Sequence, residues 1–358
     1  MMKKVLAGLL MIAALPAMAQ DTKTPPLTVS GYLETYYNYD FNRPVNNTVP
    51  AFLYNFNRAN EVNLNLGLIQ ASYNTEKVRA NVALAVGTYM NANYAAESGV
   101  MKNVYQANVG FRLSAKSNLW LDAGIMPSHI GWESAIGKDN LTLSRSIAAE
   151  NSPYFESDAK LGYTSPSGKW YLSAMVLNGW QHIQRPDGNT TPAFGTQVTF
   201  KPSDHVTLNS SSFIGNDKPD SLRRMRYFHD LYGTFQFSDK WSAIAGFDIG
   251  AEQKEKGSSG MYIWYTPNLI VRYAVSKTLA VAARGEYYHD PNAVIVSTGR
   301  NGLRSWGYSV NVDYHIFDNL LWRVELRDLN SHDDIFVKRS GESTNNNLFV
   351  TTALAFNF

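Results

Sequence analysis

The sequence has 358 residues, of which 44% are hydrophobic, 13% aromatic and only 17% charged, and the net charge is +2. This composition excludes intrinsic disorder, which needs low hydrophobicity and high charge, and a strongly basic nucleic-acid-binding surface. The absence of cysteine excludes disulfides, thiolate metal sites and cysteine nucleophiles.

The chain begins with a pattern that is typical of a secretory signal peptide. Lys3 and Lys4 form a basic start, residues 5–15 are apolar, and residues 16–19 supply the small residues of a cleavage site. The apolar run is too short for a spanning helix, which needs about 20 residues. We therefore expect cleavage after Ala19, which leaves a formally neutral mature chain, 20–358.

Apolar and polar side chains alternate with a period of two over most of the mature chain. This is the pattern of β-strands whose two faces meet different surroundings. In residues 241–252 the odd positions are all apolar, whereas the even positions are mostly small or polar. Residues 78–87 and 322–327 repeat the pattern. In residues 62–68 we expect one apolar face that consists of Val62, Leu64, Leu66 and Leu68.

Short turns and long polar stretches alternate strictly along these strands. The short turns are predicted at residues 74–77, 116–118, 165–169, 201–204, 238–240, 276–278 and 317–319. The long stretches are predicted at residues 42–60, 91–102, 128–156, 181–192, 215–226, 252–261, 290–302 and 330–346. This predicts an all-β, antiparallel up-and-down barrel with every short turn on one side. Seven short turns with both termini on that side require 16 strands, and 14 or 18 stay open because predicted boundaries carry errors of about two to four residues. No linker divides the mature chain, so we expect a single domain.

Tryptophan and the last strand favour a membrane barrel over a soluble sandwich. Trp170, Trp241 and Trp322 follow short turns on the apolar face, where an interfacial aromatic girdle belongs. Trp120 also follows a short turn, but the alternation places it on the polar face of its strand. The final strand alternates up to Phe358, an ending that is common in outer-membrane barrels and that the barrel-assembly machinery recognises.

The polar faces of these strands carry charged residues that we expect to line a water-filled lumen. They are Glu34, Arg79, Arg112, Asp122, Lys160, Asp230, Arg272, Arg284, Glu286, Asp313, Arg323, Glu325 and Arg327. Seven are basic and six are acidic, so total charge does not set ion selectivity. Their arrangement could create a transverse field, or it could form ion pairs that rigidify the barrel, and the sequence leaves both open.

The longest predicted loop, 128–156, is the candidate constriction of this lumen, because unusually long loops in compact domains are often functional. Its candidate charged residues are Glu133, Lys138, Asp139, Arg145 and Glu150. The alternative is an ordinary surface-exposed loop.

Three short motifs carry a resemblance to a known family. They are residues 121–127 leading to Gly131-Trp132-Glu133, the segment Asn151-Ser152-Pro153-Tyr154-Phe155, and the segment Leu177-Asn178-Gly179-Trp180-Gln181. The mature chain resembles, over nearly its whole length, the beta-barrel porins of the OmpL-like family of Gram-negative bacteria. The resemblance implies an outer-membrane channel without indicating its substrate.

The leading function is passive diffusion of ions and small polar solutes. A substrate-specific channel or an adhesin-like barrel with binding loops is the second possibility. An outer-membrane hydrolase is the third, but neighbours Ser128 and His129 would point to opposite faces of a strand. No motif for a metal or cofactor is present, so we expect none. Expected partners are outer-membrane lipid and lipopolysaccharide, the permeating solutes, the assembly machinery through Phe358 and further copies of the chain, but no nucleic acid.

Overall fold

The computed structural model describes residues 26–299 and 301–358, and within them sixteen antiparallel strands close into one barrel. Each barrel strand pairs with its neighbours in the chain, and the first strand closes the barrel by pairing with the last. The barrel strands are β1 (Leu27–Asp40), β2 (Val62–Asn74), β3 (Val78–Val86), β4 (Val104–Arg112), β5 (Asn118–Pro127), β6 (Phe155–Thr164), β7 (Trp170–Leu177), β8 (Ala193–Ser203), β9 (Val206–Gly215), β10 (Arg226–Gln236), β11 (Trp241–Gln253), β12 (Met261–Ala274), β13 (Leu279–Asp290), β14 (Leu303–Phe317), β15 (Leu320–Ser331) and β18 (Asn346–Asn357). The predicted 16-strand barrel is confirmed, whereas the predicted signal peptide, 1–19, lies outside the described residues.

The remaining elements are short and lie in the long loops. They are α1 (Thr88–Asn93), α2 (Ile147–Glu150), the small hairpin of β16 (Phe336–Val337) and β17 (Ser343–Thr344), and three 3₁₀ turns at Gly99–Asn103, Gly137–Asp139 and Asp220–Leu222. In the described part of the chain, helices are too short or too polar to span a bilayer. Short turns and long loops alternate as the sequence predicts.

A β-bulge in β2 corrects one prediction about the strand faces. The pairing of β1 with β2 shifts its register between Glu34 and Thr35, so Asn65 and Leu66 both turn inward. Leu66 and Leu68 are buried inside the barrel, whereas Val62 is exposed outside. The apolar face predicted for residues 62–68 is therefore wrong in its second half, because the extra residue of a bulge switches the alternation.

The outer surface is apolar, as a lipid-facing barrel requires. Trp170, Trp241 and Trp322 are all more than 40% exposed at the ends of their strands next to short turns. Trp120 instead shares the inner face with Asp122 and packs against the Arg79 guanidinium, 4.3 Å from the ring centroid. Trp120 therefore does not belong to the girdle, although it follows a short turn as the other three tryptophans do.

The main apolar cluster lies inside the barrel, at the end that carries the long loops. Wall residues Phe213 and Trp264 meet loop residues Phe52, Ile147 and Trp180 there. The Trp180 ring packs edge-on against Phe213 and Trp264, with centroid separations of 5.0 and 6.5 Å. Several loops therefore fold back into the barrel and narrow the lumen.

Candidate functional site

The loop between β5 and β6, residues 128–154, folds back along the inner wall and is called the inner loop below. The Ser211 hydroxyl of β9 donates to the His129 carbonyl at 2.8 Å. Farther along the loop, the Leu143 N–H donates to Asn311 Oδ1 of β14 at 3.1 Å. The inner loop thus follows the wall from β9 to β14. Its predicted end, residue 156, is slightly late because β6 already begins at Phe155.

Three buried arginines of β13 and β15 fix the inner loop to the wall, and we call Arg284, Arg323 and Arg327 the anchor arginines. Arg323 pairs with Asp313, with 2.7 Å between Nε and Oδ1. Its two terminal nitrogens donate to the loop carbonyls of Gly137 at 2.6 Å and Asn140 at 3.0 Å. A planar guanidinium with five donors can hold a carboxylate and backbone carbonyls at once.

The other two anchor arginines repeat this arrangement. Arg327 pairs with Glu286 at 2.6 Å and donates to the Arg145 carbonyl at 2.8 Å. Arg284 donates to Glu325 at 3.1 Å and to the Ser144 carbonyl at 2.6 Å. Six of the predicted pore-lining residues thus form ion pairs that hold the loop.

The charged residues of the inner loop divide into buried and exposed groups. Arg145 is fully buried and donates to the carbonyls of Ser134 at 2.8 Å and Ala135 at 2.7 Å, which tightens the loop. Glu133 accepts from the Ser146 N–H at 3.0 Å, and burial raises the pKa of its carboxyl. Lys138 and Asp139 form an exposed ion pair of 2.7 Å.

Glu150 joins the inner loop to the loop between β1 and β2. Its carboxylate accepts from the Tyr54 N–H at 2.9 Å and from the Asn55 side-chain amide at 3.1 Å. Burial raises the pKa of Glu150 to about 7, although these hydrogen bonds and the charge of Arg145 oppose the change. The contact between the two loops therefore carries a carboxyl group that titrates near neutral pH.

Glu34 of β1 supports the other end of the loop. It accepts from the Tyr32 hydroxyl at 2.9 Å and from the Asn65 side-chain amide at 2.8 Å. Gly137 lies directly against this carboxylate, so that any Cβ at residue 137 would overlap it. The close approach of the loop to β1 thus requires glycine.

The other predicted wall residues lie away from the anchor arginines. Arg79 pairs with Asp122, with 2.6 Å between Nε and Oδ1, and its side chain is 36% exposed. Arg112 donates to the Ser117 carbonyl in a short turn at 3.1 Å. Lys160 and Arg272 are half-buried on the inner face.

A cavity of about 180 Å³ lies between the inner loop and its neighbouring loops. Its polar lining includes Glu150, Asn151, Gln181 and Arg226, and Trp180 supplies an aromatic wall. Charged, amide and aromatic groups together suit a small polar solute.

Ser128 and His129, the neighbours considered for the hydrolase alternative, do not contact each other through their side chains. The Ser128 hydroxyl and His129 Nδ1 both bond to the Glu156 carboxylate, at 2.9 and 2.8 Å, rather than to each other. His129 Nε2 lies 2.9 Å from the Ser212 carbonyl. Across the described residues, no group of three or more His, Cys, Asp or Glu side chains is placed to hold a metal ion.

Some inner charged residues escaped the sequence prediction. Asp248 and Asp158 are buried on the inner faces of β11 and β6. The same alternation that identified their neighbours places both on the polar side of their strands. The inward path of Trp132 and the rest of the inner loop has no comparable local signal, because distant strands determine it.

Solved structures of outer-membrane proteins have a similar barrel fold. OmpT of Vibrio cholerae is 9% identical over 95% of this chain and 100% of that chain, with a TM-score of 0.59. An anion-selective porin from Comamonas acidovorans is 10% identical over 93% and 99% of the two chains, with a TM-score of 0.59. The outer-membrane channel DcaP of Acinetobacter baumannii is 10% identical over 93% and 97%, with a TM-score of 0.60. At these identities the likeness shows the fold.

No curated protein matches the sequence. The family described as beta-barrel porin-2, OmpL-like, matches residues 26–358, which is nearly the whole chain. This agrees with the resemblance that the sequence motifs carry. The chain therefore belongs to the OmpL-like beta-barrel porin-2 family and is an outer-membrane porin.

Proposed function

We propose that the barrel conducts ions and small polar solutes by passive diffusion past the inner loop, which forms the constriction. The anchor arginines carry this proposal, because they hold loop backbone inside the lumen at three separate points. A segment fixed in this way sets the width of the path. The ion pairs of these arginines favour a rigidifying role over the transverse field that the sequence left open.

Single-channel recording of the refolded protein in planar bilayers tests the constriction. Deleting residues 136–147 removes the segment that the anchor arginines hold, so we expect a clear increase in conductance. A matched deletion of residues 339–341, at the exposed tip of the last loop, is the control and leaves conductance unchanged. Equal conductance of the wild type and the 136–147 deletion would contradict the proposal.

A narrow, size-selective channel is a second candidate that one observation favours. The apolar cluster of wall and loop residues narrows the loop end of the lumen, next to the small cavity beside Glu150 and Trp180. Liposome swelling with sugars of increasing size separates the two functions. A general diffusion porin admits monosaccharides and trisaccharides with gradually falling rates, whereas a selective channel shows a sharp cut-off above monosaccharides.

We further propose that the protein has no hydrolytic activity and that it self-associates. Ser128 and His129 are both committed to Glu156, which leaves no activated hydroxyl between them. One solved form of Vibrio cholerae OmpT is described as a trimer, and we propose a homo-oligomer here. Ester hydrolysis assays and the mass of the native protein in detergent test these two points. Measurable hydrolysis that Ser128→Ala abolishes, or a monomeric mass in mild detergent, would contradict them.

A further inference from the structure

Two buried carboxylates face each other on the inner wall, and neither is paired with a basic side chain of the described residues. Asp230 of β10 and Asp248 of β11 are direct cross-strand neighbours, and they are 0% and 2% exposed. Directly opposed side chains on one face have Cβ atoms about 5 Å apart. Among the described residues, neither carboxylate forms an ion pair with Lys, Arg or His. This distinguishes them from Glu286, Asp313 and Glu325, each of which pairs with an anchor arginine.

Neutral oxygen ligands continue the same polar row. Thr266 of β12 stands directly opposite Asp248 and is 2% exposed, and Asn268 is the next inward residue on that strand, at 5%. No protein group of the described chain bonds to the Thr266 hydroxyl, to either amide atom of Asn268, or to Oδ1 of Asp230 or Asp248. Buried polar atoms normally have partners, so a row of unpartnered polar atoms on neighbouring strands, four of them oxygens, points to a ligand.

The inner loop covers this row. The Gly131 N–H donates to Asp230 Oδ2 at 3.3 Å. The Trp132 ring lies on Gly246, the cross-strand neighbour of Asn268, where any Cβ would overlap the indole. The row is therefore enclosed between the wall and the loop.

We propose that Asp230, Asp248, Thr266 and Asn268 bind a hard divalent cation, Ca²⁺ or Mg²⁺, between the barrel wall and the inner loop. Carboxylate, hydroxyl and amide oxygens are the ligands that such ions prefer, with water completing the coordination. A cation also compensates two carboxylates whose burial without a positive partner is energetically costly. The site does not depend on conduction through the barrel.

Calcium binding to the refolded full chain tests the proposal. Protein in lipopolysaccharide-free detergent is stripped with a chelator and titrated with CaCl₂ by calorimetry, and thermal unfolding is followed in parallel. We expect one saturable site and a rise in unfolding temperature with calcium. Asp248→Asn lowers the affinity by about tenfold or more, because ligand charge sets the strength of such sites. Glu342→Gln, which removes an exposed loop carboxylate, leaves the affinity unchanged.

A second variant tests the site without replacing a carboxylate, because the loss of a buried carboxylate can itself impair folding. Thr266→Val removes one neutral ligand while keeping the shape of the side chain, and it also weakens calcium binding. The absence of binding to the wild type overturns the proposal, as does equal binding by Asp248→Asn and Glu342→Gln. A third outcome also overturns the proposal. If neither protein responds to calcium and Asp248→Asn unfolds at a higher temperature than the wild type, the two carboxyls share a proton instead of binding a cation.

Discussion

Two arginine–aspartate pairs of the inner wall have nearly the same geometry in different surroundings. Arg323 pairs with Asp313 at 2.7 Å, is fully buried, and also donates to two carbonyls of the inner loop. Arg79 pairs with Asp122 at 2.6 Å, but its side chain is 36% exposed next to a short turn. The first pair joins the wall to the loop, whereas in the second pair Asp122 is buried and Arg79 is partly exposed on the inner face. Enclosure by the inner loop, rather than the ion pair itself, thus separates a structural anchor from a charge that passing ions can meet.

Removal of an anchor arginine tests this difference most strongly. Arg323→Ala leaves Asp313 buried without its partner and frees two loop carbonyls, so we expect a loss of about 3–5 kcal/mol in the free energy of unfolding. Arg272→Ala, at a half-buried wall position, is the matched control and costs about 1 kcal/mol or less. Denaturant unfolding of the refolded proteins in detergent measures both. Equal losses for the two variants would show that the loop contacts add nothing.

The close approach of the loop to β1 gives a smaller effect than the loss of an anchor arginine. Gly137→Ala places a methyl group against the buried Glu34 carboxylate, and we expect the loop to shift at a cost of about 1–3 kcal/mol. Single-channel recordings then show raised or noisier conductance. Gly285→Ala adds the same methyl group on the outer face, where no atom lies within 4 Å, and serves as the control. A stable Gly137→Ala protein with wild-type conductance would place the loop away from β1.

The contact of Glu150 with the loop between β1 and β2 predicts that the free energy of unfolding depends on pH. The pKa of Glu150 is raised to about 7, so the folded protein holds the proton more tightly than the unfolded chain, whose ordinary value is 4.5. The stabilisation by the protonated carboxyl is complete below about pH 4.5 and is lost as the pH rises through about 7. Between pH 8 and pH 5 we expect the free energy of unfolding to rise by about 2–3 kcal/mol from this group.

Thermal unfolding from pH 8 to pH 5 measures this dependence by comparing the wild type with Glu150→Gln. The substitution removes the contribution of Glu150, whereas Glu76→Gln in an exposed short turn keeps the wild-type slope. Identical slopes for the wild type and Glu150→Gln would show that burial does not perturb the carboxyl.

The sequence could predict the strands and the face on which each charged side chain lies, because both follow from a local pattern. Alternation and turn spacing identify the sixteen strands, and the same parity places Arg79, Asp122, Asp313 and Arg323 on one face. Asp248 could have been found in the same way, because it lies on the polar face of its strand. The parity rule fails where a bulge interrupts it, as at Leu66.

The site itself depends on contacts that have no local signal. Arg323 meets Gly137 and Asn140 across more than 180 positions of the chain. Nothing in the sequence near Arg323 or Gly137 distinguishes an anchored loop from an exposed one, because both contain the same mixture of small and charged residues. The sequence therefore predicted the wall charges and the candidate loop, but it could not determine which charges hold the loop.

The pair of Arg79 and Asp122 gives the smallest change in stability and tests the other side of the comparison. Arg79→Gln removes one positive charge from the lumen and leaves the buried Asp122 carboxylate without its ion-pair partner, so we expect a shift toward cation selectivity with a loss of about 1–2 kcal/mol in the free energy of unfolding. The loss is smaller than for Arg323→Ala, because Arg79 is partly exposed and holds no carbonyl of the inner loop. The reversal potential in a salt gradient measures the shift. Lys77→Gln removes the same charge from an exposed turn and leaves the reversal potential unchanged. A large loss of stability with unaltered selectivity in Arg79→Gln would mean that this pair, like Arg323 and Asp313, acts as an anchor and that exposure does not separate the two.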